Sequence, residues 1–198
     1  FTAMTTDGEL SFHDWKKGSW AVFFSHPADF TPVCTTELGR TAALGGEFEK
    51  RNTKAMAISI DPIEDHHAWA PDIGGITGTP LNFPTVADPD HTIAELYDMI
   101  HPGEGDTSTV RSVFIVDPED KLRLILTYPK SVGRNFDEIV RVIDALQATD
   151  ANPIATPADW KPGDRVIVSP GMSTEDAKAK FENVEEFKPY LRYADAPK

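Results

Sequence analysis

Short apolar runs alternate with helix-forming segments along most of the chain, and this alternation is what most constrains its fold. Runs typical of buried strands occupy 20–24, 54–60 and 83–87, and a helical pattern follows each of them. Such alternation predicts an α/β sheet with helices on both faces. A hairpin at 110–116 and 122–127 adds antiparallel strands at one side, so the sheet is expected to be mixed.

Turn and capping residues set the expected ends of two helices. One helix is expected to begin at Pro32 and to run through Phe48. A second begins at Asp61 and is expected to end near Pro71, because proline breaks the interior of a helix. The Gly- and Pro-rich segment 72–82 is then expected to be a loop.

Composition changes near Thr149, where prolines and a glycine suggest a linker. We therefore expect a main domain at 1–149 and a C-terminal domain at 150–198. The second piece contains a predicted strand and a predicted helix, and it is too small to hold a hydrophobic core of its own. It is expected to pack on the main domain or on a partner chain.

Charge and cysteine content exclude several classes of function. The formal net charge of −13 argues against nucleic-acid binding and against anionic membrane surfaces. No apolar run approaches the roughly 20 residues of a membrane span. A single cysteine rules out a disulfide within the chain and a Cys-rich zinc site, and it favours a reducing compartment, most simply the cytoplasm. The chain begins at Phe1 within an expected strand, so a preceding segment is expected and a targeting peptide stays open.

That cysteine, Cys34, falls where a strand is predicted to turn into a helix. Thr31 is a good N-cap, and Pro32 suits the first helical position, where no backbone N–H is needed. Cys34 therefore lies in the first turn, at the positive end of the helix dipole and beside unpaired N–H groups. Both features favour the thiolate and predict a reactive sulfur. The alternative is a small buried hydrophobic residue.

The pattern Pro27-x-x-x-Thr31-x-x-Cys34 matches the active-site signature of the peroxiredoxins. The longer run at 25–39 resembles the one-cysteine, peroxiredoxin-6-like branch, and segments 133–138 and 155–160 extend the resemblance over nearly the whole chain. The resemblance implies a thioredoxin-like fold with a small C-terminal α+β dimerisation domain. It also implies an antioxidant enzyme of cell redox homeostasis that reduces hydrogen peroxide and organic hydroperoxides.

The resemblance also selects the site residues. It assigns catalysis to Cys34, Thr31 and Arg111, and it alone picks Arg111 over the other arginines. Five further residues are expected to line or support the pocket: Pro27, His26, Val33, Glu37 and Arg134. Two alternatives stay open, namely that Glu37 and Arg134 form a surface ion pair and that His26 is a structural histidine.

Thiolate character alone does not account for fast peroxide reduction. A free cysteine thiol with a pKa of about 8.5 is only a few per cent ionised at pH 7. A pKa of about 6 raises the thiolate fraction roughly 30-fold, whereas the accompanying loss of nucleophilicity removes roughly 10-fold. The net gain is only about 2–4-fold, so donors aimed at the reacting oxygens are also required.

The expected cycle needs neither a cofactor nor a metal. The Cys34 thiolate attacks a hydroperoxide and becomes a sulfenic acid. Because the chain has no second cysteine, an external thiol must resolve it, with glutathione or a thioredoxin-like protein as candidates. A homodimer is expected, and its further assembly stays open. The alternative function is a redox sensor or chaperone-like assembly controlled by Cys34 oxidation.

Two weaker signals are expected to be structural. Relatives of this branch can carry a lipase-like Gly-x-Ser-x-Gly motif with a histidine and an acid, which align with Ser19, His13 and Glu119 here. Neither motif glycine is present, so Ser19 is expected to be a residue at the start of a strand. His66 and His67 are adjacent on a helix and point apart, which makes chelation poor and predicts a solvated helix face.

Overall fold

The computed structural model describes residues 1–197, and the chain divides after Phe136 into two compact units. The first unit is built on a seven-stranded sheet. Its strands are β1 (Thr2–Thr5), β2 (Gly8–Ser11), β3 (Trp20–Ser25), β4 (Thr53–Ser59), β5 (Thr85–Ala87), β6 (Arg111–Val116) and β7 (Leu122–Tyr128). Its helices are α1 (Phe12–Lys16), α2 (Pro32–Ala43), α3 (Gly45–Lys50), α4 (Ile63–Thr77) and α5 (Thr92–Leu96), with a 3-10 helix at Pro102–Glu104.

The sheet is mixed, as the alternation of segments predicts. The strand order is β2-β1-β5-β4-β3-β6-β7, with β3, β4 and β5 parallel. The remaining pairings are antiparallel. The predicted central sheet and the closing hairpin are therefore confirmed.

Strand β3 lies in the middle of this sheet and is buried along its whole length. Its neighbour β6 runs in the opposite direction, with Phe24 facing Val113 in the register. The end of β3, where the chain turns towards Cys34, therefore lies beside the start of β6 at Arg111. One face of the sheet contributes to a core cluster of buried residues: Phe12, Ala21, Phe23, Met56, Ile58, Val86, Ile93, Ala94, Met99, Phe114 and Val116.

Two predicted helix boundaries are wrong. The helix expected to run through Phe48 is interrupted at Leu44, whose ψ of 2° lies outside the helical range, and a second helix begins at Gly45. The helix expected to end near Pro71 continues to Thr77. Residues 72–77 are therefore helical rather than part of a loop.

Tertiary packing explains why α4 passes through its proline. Trp69 and Ile73 lie two residues before and after Pro71, and both side chains are buried. Burial of two such side chains contributes roughly 3–6 kcal/mol, which offsets the roughly 3 kcal/mol that an interior proline costs. The helix ends instead at Gly78, whose φ of +78° is the left-handed conformation that glycine adopts readily.

The second unit follows Phe136. Helix α6 (Phe136–Ala151) begins at the division, and the elements after it are β8 (Ile154–Ala155), β9 (Val166–Val168), α7 (Thr174–Lys180), β10 (Glu185–Lys188) and β11 (Leu191–Ala194). The strands form a second sheet in the order β10-β11-β9-β8. Ser173 caps α7 by accepting a hydrogen bond from the backbone N–H of Asp176 at 3.0 Å.

The expectation that the C-terminal piece lacks a core is wrong. Its buried apolar side chains form a cluster of their own: Ile154, Trp160, Val166, Val168, Ala177, Phe181 and Ala194. Ala145 and Ala148 of α6 pack against this cluster, so the helix contributes to the hydrophobic core of the second unit. The boundary between 1–149 and 150–198 stays a prediction. None of the helices in residues 1–197 has the length and apolar composition that crossing a membrane requires.

Candidate active site

Cys34 lies in the first turn of α2, directly after the loop formed by residues 26–31. The backbone of Thr31 caps this helix, because its carbonyl accepts the first helical hydrogen bond from Thr35 N–H at 3.0 Å. The Thr31 hydroxyl makes no capping bond and instead donates to the carbonyl of Ala28 at 2.8 Å. Helix geometry leaves the N–H groups of Val33 and Cys34 without partners inside the helix.

Arg111 lies beside the sulfur. Its Nη1 is 3.4 Å from Cys34 Sγ, and both side chains are buried. The same Nη1 donates to Glu37 Oε2 at 2.8 Å, and Nε donates to the carbonyl of Lys130 at 2.8 Å. The guanidinium is therefore held from two sides while it faces the sulfur.

Glu37 lies one turn beyond Cys34 on α2 and joins a second arginine to the site. Its Oε1 accepts from Arg134 N–H at 2.8 Å and Nε at 3.0 Å, and its Oε2 accepts from Nη2 at 2.7 Å. Arg134 also donates from Nη1 to the carbonyl of Ser112 at 3.0 Å. Burial would raise the pKa of Glu37, but the hydrogen bonds and charge of Arg134, together with the charge of Arg111, hold it below its ordinary value.

The surface ion pair considered for Glu37 and Arg134 is therefore wrong. Both residues are buried, and the Arg134 guanidinium lies over the rings of Phe24 and Phe136 at 5.1 and 5.5 Å from their centroids. A carboxylate buried between two guanidiniums cannot be regarded as a weak, solvent-screened contact.

The 26–31 loop contains a second buried network that sequence reasoning missed. Asp29 accepts from His26 Nε2 at 2.8 Å on Oδ1 and lies 2.5 Å from His66 Nδ1 on Oδ2. Burial would raise the pKa of Asp29, but these two hydrogen bonds hold it below its ordinary value. His26 is fully buried, and burial lowers its pKa despite the opposing effect of Asp29. The signal was present in the sequence, since Asp29 stands between Pro27 and Thr31 of the signature.

The prediction for the histidine pair on α4 is wrong for one of its members. His66 is buried, whereas His67 is exposed as expected. The two residues point apart, as adjacent helical positions must, and this places His66 towards the 26–31 loop.

The other two expected pocket residues also lie at this turn. Pro27 is buried within the loop, and Val33 is half-buried in the first turn of α2. A Cβ on Gly133 would meet a methyl group of Val33 at 3.4 Å, so the chain just before Arg134 passes close to the helix start.

The possible metal ligands near the site are already hydrogen bonded. One ligand atom from each of His26, Asp29 and Asp61 lies within 4.8 Å of the others. Asp61 Oδ2 accepts from the Ser59 hydroxyl at 2.7 Å and from Asp29 N–H at 3.0 Å. Hydrogen bonds therefore hold both carboxylates, whereas His26 Nδ1 has no partner among residues 1–197.

Ser19 has no hydrolase arrangement around it. Its hydroxyl is 3.2 Å from Asn52 Oδ1, and it lines a cavity of about 560 Å³ whose lining does not include Cys34. His13 instead pairs with Asp120 at 3.2 Å, and Glu119 is exposed in the turn before β7. Within residues 1–197, no hydrogen bond joins Ser19 to His13.

Comparisons with known proteins agree with this geometry. The AhpC/TSA family pattern matches residues 1–125, and that of the C-terminal domain of 1-Cys peroxiredoxin matches residues 145–183. Peroxiredoxin-6 of Rattus norvegicus is 49% identical over 211 residues, which cover 100% of this chain and 94% of the relative.

Two solved peroxiredoxin structures superpose on nearly the whole chain. A mutant of the peroxiredoxin 6 of Arenicola marina superposes with a TM-score of 0.95 at 47% identity, covering 100% of this chain and 95% of that one. A yeast mitochondrial 1-Cys peroxiredoxin superposes with a TM-score of 0.93 at 48% identity, covering 98% and 95%. The predicted thioredoxin-like fold is confirmed. The chain therefore belongs to the AhpC/TSA family, in its 1-Cys peroxiredoxin branch, and is a thiol-dependent peroxidase that works with a single cysteine.

Proposed function

We propose that Cys34 is the peroxidatic cysteine and that Thr31 and Arg111 hold a hydroperoxide against it. The observation that carries this assignment is the 3.4 Å distance between Arg111 Nη1 and Cys34 Sγ in a buried site. Hydrogen peroxide and organic hydroperoxides are the proposed substrates. In a water-excluded site, a fixed cation acts on developing charge more strongly than it would in water.

The reaction is a displacement at oxygen. The Cys34 thiolate attacks the distal peroxide oxygen, so that an S–O bond forms while the O–O bond breaks. The attacked oxygen keeps its proton and becomes the S–OH group, and sulfur is oxidised by two electrons. The leaving oxygen departs with the electron pair of the O–O bond and takes up a proton from solvent as water or an alcohol.

Arg111 supplies the charge stabilisation in this proposal. Nε and Nη1 are fixed by the Lys130 carbonyl and by Glu37, which sets the plane of the guanidinium. Nη2 makes no hydrogen bond within the described residues, so it remains able to donate to the oxygen on which negative charge develops.

Thr31 supplies the orientation. Its hydroxyl hydrogen is already donated to the Ala28 carbonyl, so the oxygen is left with lone pairs to accept a hydrogen bond. The O–H of a hydroperoxide is the matching donor. The free N–H groups of Val33 and Cys34 lie at the same helix start and can donate to peroxide oxygen.

An external thiol must complete the cycle, because Cys34 is the only cysteine in the chain. We propose glutathione or a thioredoxin-like protein for this role. The solved yeast 1-Cys relative supports the choice, since its thiol resolving mechanism is described as running through glutathione and thioredoxin systems. The cytoplasmic location stays a prediction, as that relative is mitochondrial.

Turnover with a panel of thiols tests the enzymatic cycle. Peroxide consumption is expected to continue over many cycles with glutathione or with a thioredoxin system, and to stop when Cys34→Ser removes the nucleophile. The assay follows hydrogen peroxide loss under steady-state conditions. Rapid formation of sulfenic acid without turnover by any thiol would favour the redox sensor instead.

Replacing the proposed charge donor tests the role of Arg111. Arg111→Lys keeps a positive charge but loses the planar fork, so the second-order rate of Cys34 oxidation should fall by roughly 10²–10³-fold. Stopped-flow fluorescence with hydrogen peroxide measures this rate. Arg40→Lys, at an exposed position on helix α2, which contains Cys34, is the matched control and should react like the parent protein. A rate in Arg111→Lys equal to that control would contradict the proposed role.

We further propose a homodimer formed through the edge of the first sheet. In the described residues, β7 pairs only with β6, so its other edge has backbone groups free for a second copy. Leu122 and Ile125 on this strand are 51% and 52% exposed, although both are large apolar side chains. A two-fold related copy would cover both the open edge and these side chains.

A charge at this edge tests the dimer. Ile125→Lys should raise the dissociation constant by about a hundredfold, since each of two copies loses roughly 1.5 kcal/mol of aliphatic burial. Sedimentation equilibrium measures the constant. Met4→Lys is the matched control, because Met4 is 50% exposed on β1, away from β7. Equal dissociation constants for both variants would exclude this edge as the interface.

A further inference from the structure

His66 uses both ring nitrogens in buried hydrogen bonds. Nε2 lies 3.1 Å from the carbonyl oxygen of Val86, and Nδ1 lies 2.5 Å from Asp29 Oδ2. The side chain is almost fully buried, as is the Asp29 carboxylate. The pair therefore joins α4 to the 26–31 loop that precedes Cys34.

The partners of His66 determine where its protons lie. A carbonyl oxygen only accepts hydrogen bonds, so Nε2 must carry a hydrogen. Asp29 is ionised, as the lowering of its pKa by hydrogen bonds from His26 and His66 indicates despite its burial. An ionised carboxylate also only accepts, so Nδ1 must carry a hydrogen as well. With hydrogens on both nitrogens, His66 is an imidazolium.

His26, in contrast, is a neutral imidazole. Nε2 donates to Asp29 Oδ1 at 2.8 Å, which places one hydrogen there. Burial lowers the pKa of His26, and the nearby charge of His66 lowers it further, so the ring is neutral. Nδ1 is then unprotonated, and it has no hydrogen-bond partner among residues 1–197.

The surroundings are consistent with this division of charge. The charged groups of the network are Asp29, His66 and Asp61, and Asp61 is held by the Ser59 hydroxyl and the Asp29 N–H. Trp69 of α4 covers the His26 ring, with 5.6 Å between ring centroids. Asp29 and His66 are thus a buried pair of opposite charge, and burial lowers the pKa of His26 more than the half-buried Asp61 raises it.

We propose that His66 is a positioning residue of the peroxidase site. With an N–H on each ring nitrogen it fixes the Asp29 carboxylate, and Asp29 in turn holds His26 as the neutral Nε2–H tautomer with a free Nδ1 lone pair. Pro27 and Thr31 lie on either side of Asp29 in the same loop, so this anchor also sets where the Thr31 hydroxyl meets the peroxide. The inference rests on the proposed roles of Cys34 and Thr31.

The charge states can be measured in the unmodified protein. Two-bond ¹H–¹⁵N correlation spectra of the reduced, ¹⁵N-labelled chain report the protonation of each ring nitrogen in its six histidines. At neutral pH, His66 should show two protonated nitrogens, and His26 should show a protonated Nε2 with a bare Nδ1. A neutral His66, or a protonated Nδ1 on His26, overturns the proposal.

A matched pair of variants tests the consequence for catalysis. His66→Gln removes the cation, so His26 should take up a proton on Nδ1 and the rate of Cys34 oxidation should fall roughly tenfold. His67→Gln, at the adjacent exposed position, should change neither the His26 signals nor the rate. Circular dichroism and thermal unfolding establish that both variants fold.

The outcomes separate this inference from the proposed function. If His66→Gln matches His67→Gln in both the His26 spectrum and the rate, His66 does not position the site. If the parent protein lacks peroxidase activity, the proposed function fails, while the spectra still decide the charge of His66. If His66→Gln does not fold, the spectra of the parent protein still decide the two charge states on which the proposal depends, and a neutral His66 overturns it.

Discussion

The hydrogen bonds from Arg111 and Arg134 to the Glu37 carboxylate are the interaction on which the site depends. One carboxylate lies between two buried guanidiniums, so these three groups carry one positive charge in excess. A buried charge without a partner is costly, and in the proposed mechanism the Cys34 thiolate beside Arg111 supplies the missing negative charge. In that proposal the cluster stabilises the thiolate, and Glu37 holds the Arg111 guanidinium towards the sulfur.

The sheet brings these groups together from distant parts of the sequence. Because β6 runs antiparallel to β3, Arg111 lies beside the turn that leads to Cys34. The Lys130 and Ser112 carbonyls then fix the two guanidiniums, so backbone geometry sets the direction of both side chains. In the proposed mechanism, a small error in that geometry would move Arg111 away from the reacting oxygens, and catalysis is sensitive to such displacements.

Much of this arrangement could be predicted from the sequence, and the failures have identifiable causes. The helix start after Thr31 could be predicted from a few local residues, although the Thr31 hydroxyl donates to the Ala28 carbonyl and does not cap the helix. Arg111 could be chosen only by resemblance, because its role depends on strand pairing that spacing does not reveal. The end of α4 could not be predicted from Pro71, because the burial of neighbouring side chains outweighs the helix-breaking preference of proline. The burial of His66 could not be predicted, because the sequence does not indicate which of two adjacent helical positions faces a loop.

The most direct test compares two reactions of the same sulfur. In the proposed mechanism, Cys34 reacts fast because Arg111 and Thr31 act on the breaking O–O bond, beyond any gain in thiolate content. Rates of Cys34 with hydrogen peroxide and with iodoacetamide should be measured at one pH beside free cysteine. The peroxide rate should exceed that of free cysteine by more than about 10²–10³-fold, while the alkylation rate should show no such gain. An equal acceleration of both reactions would contradict the account.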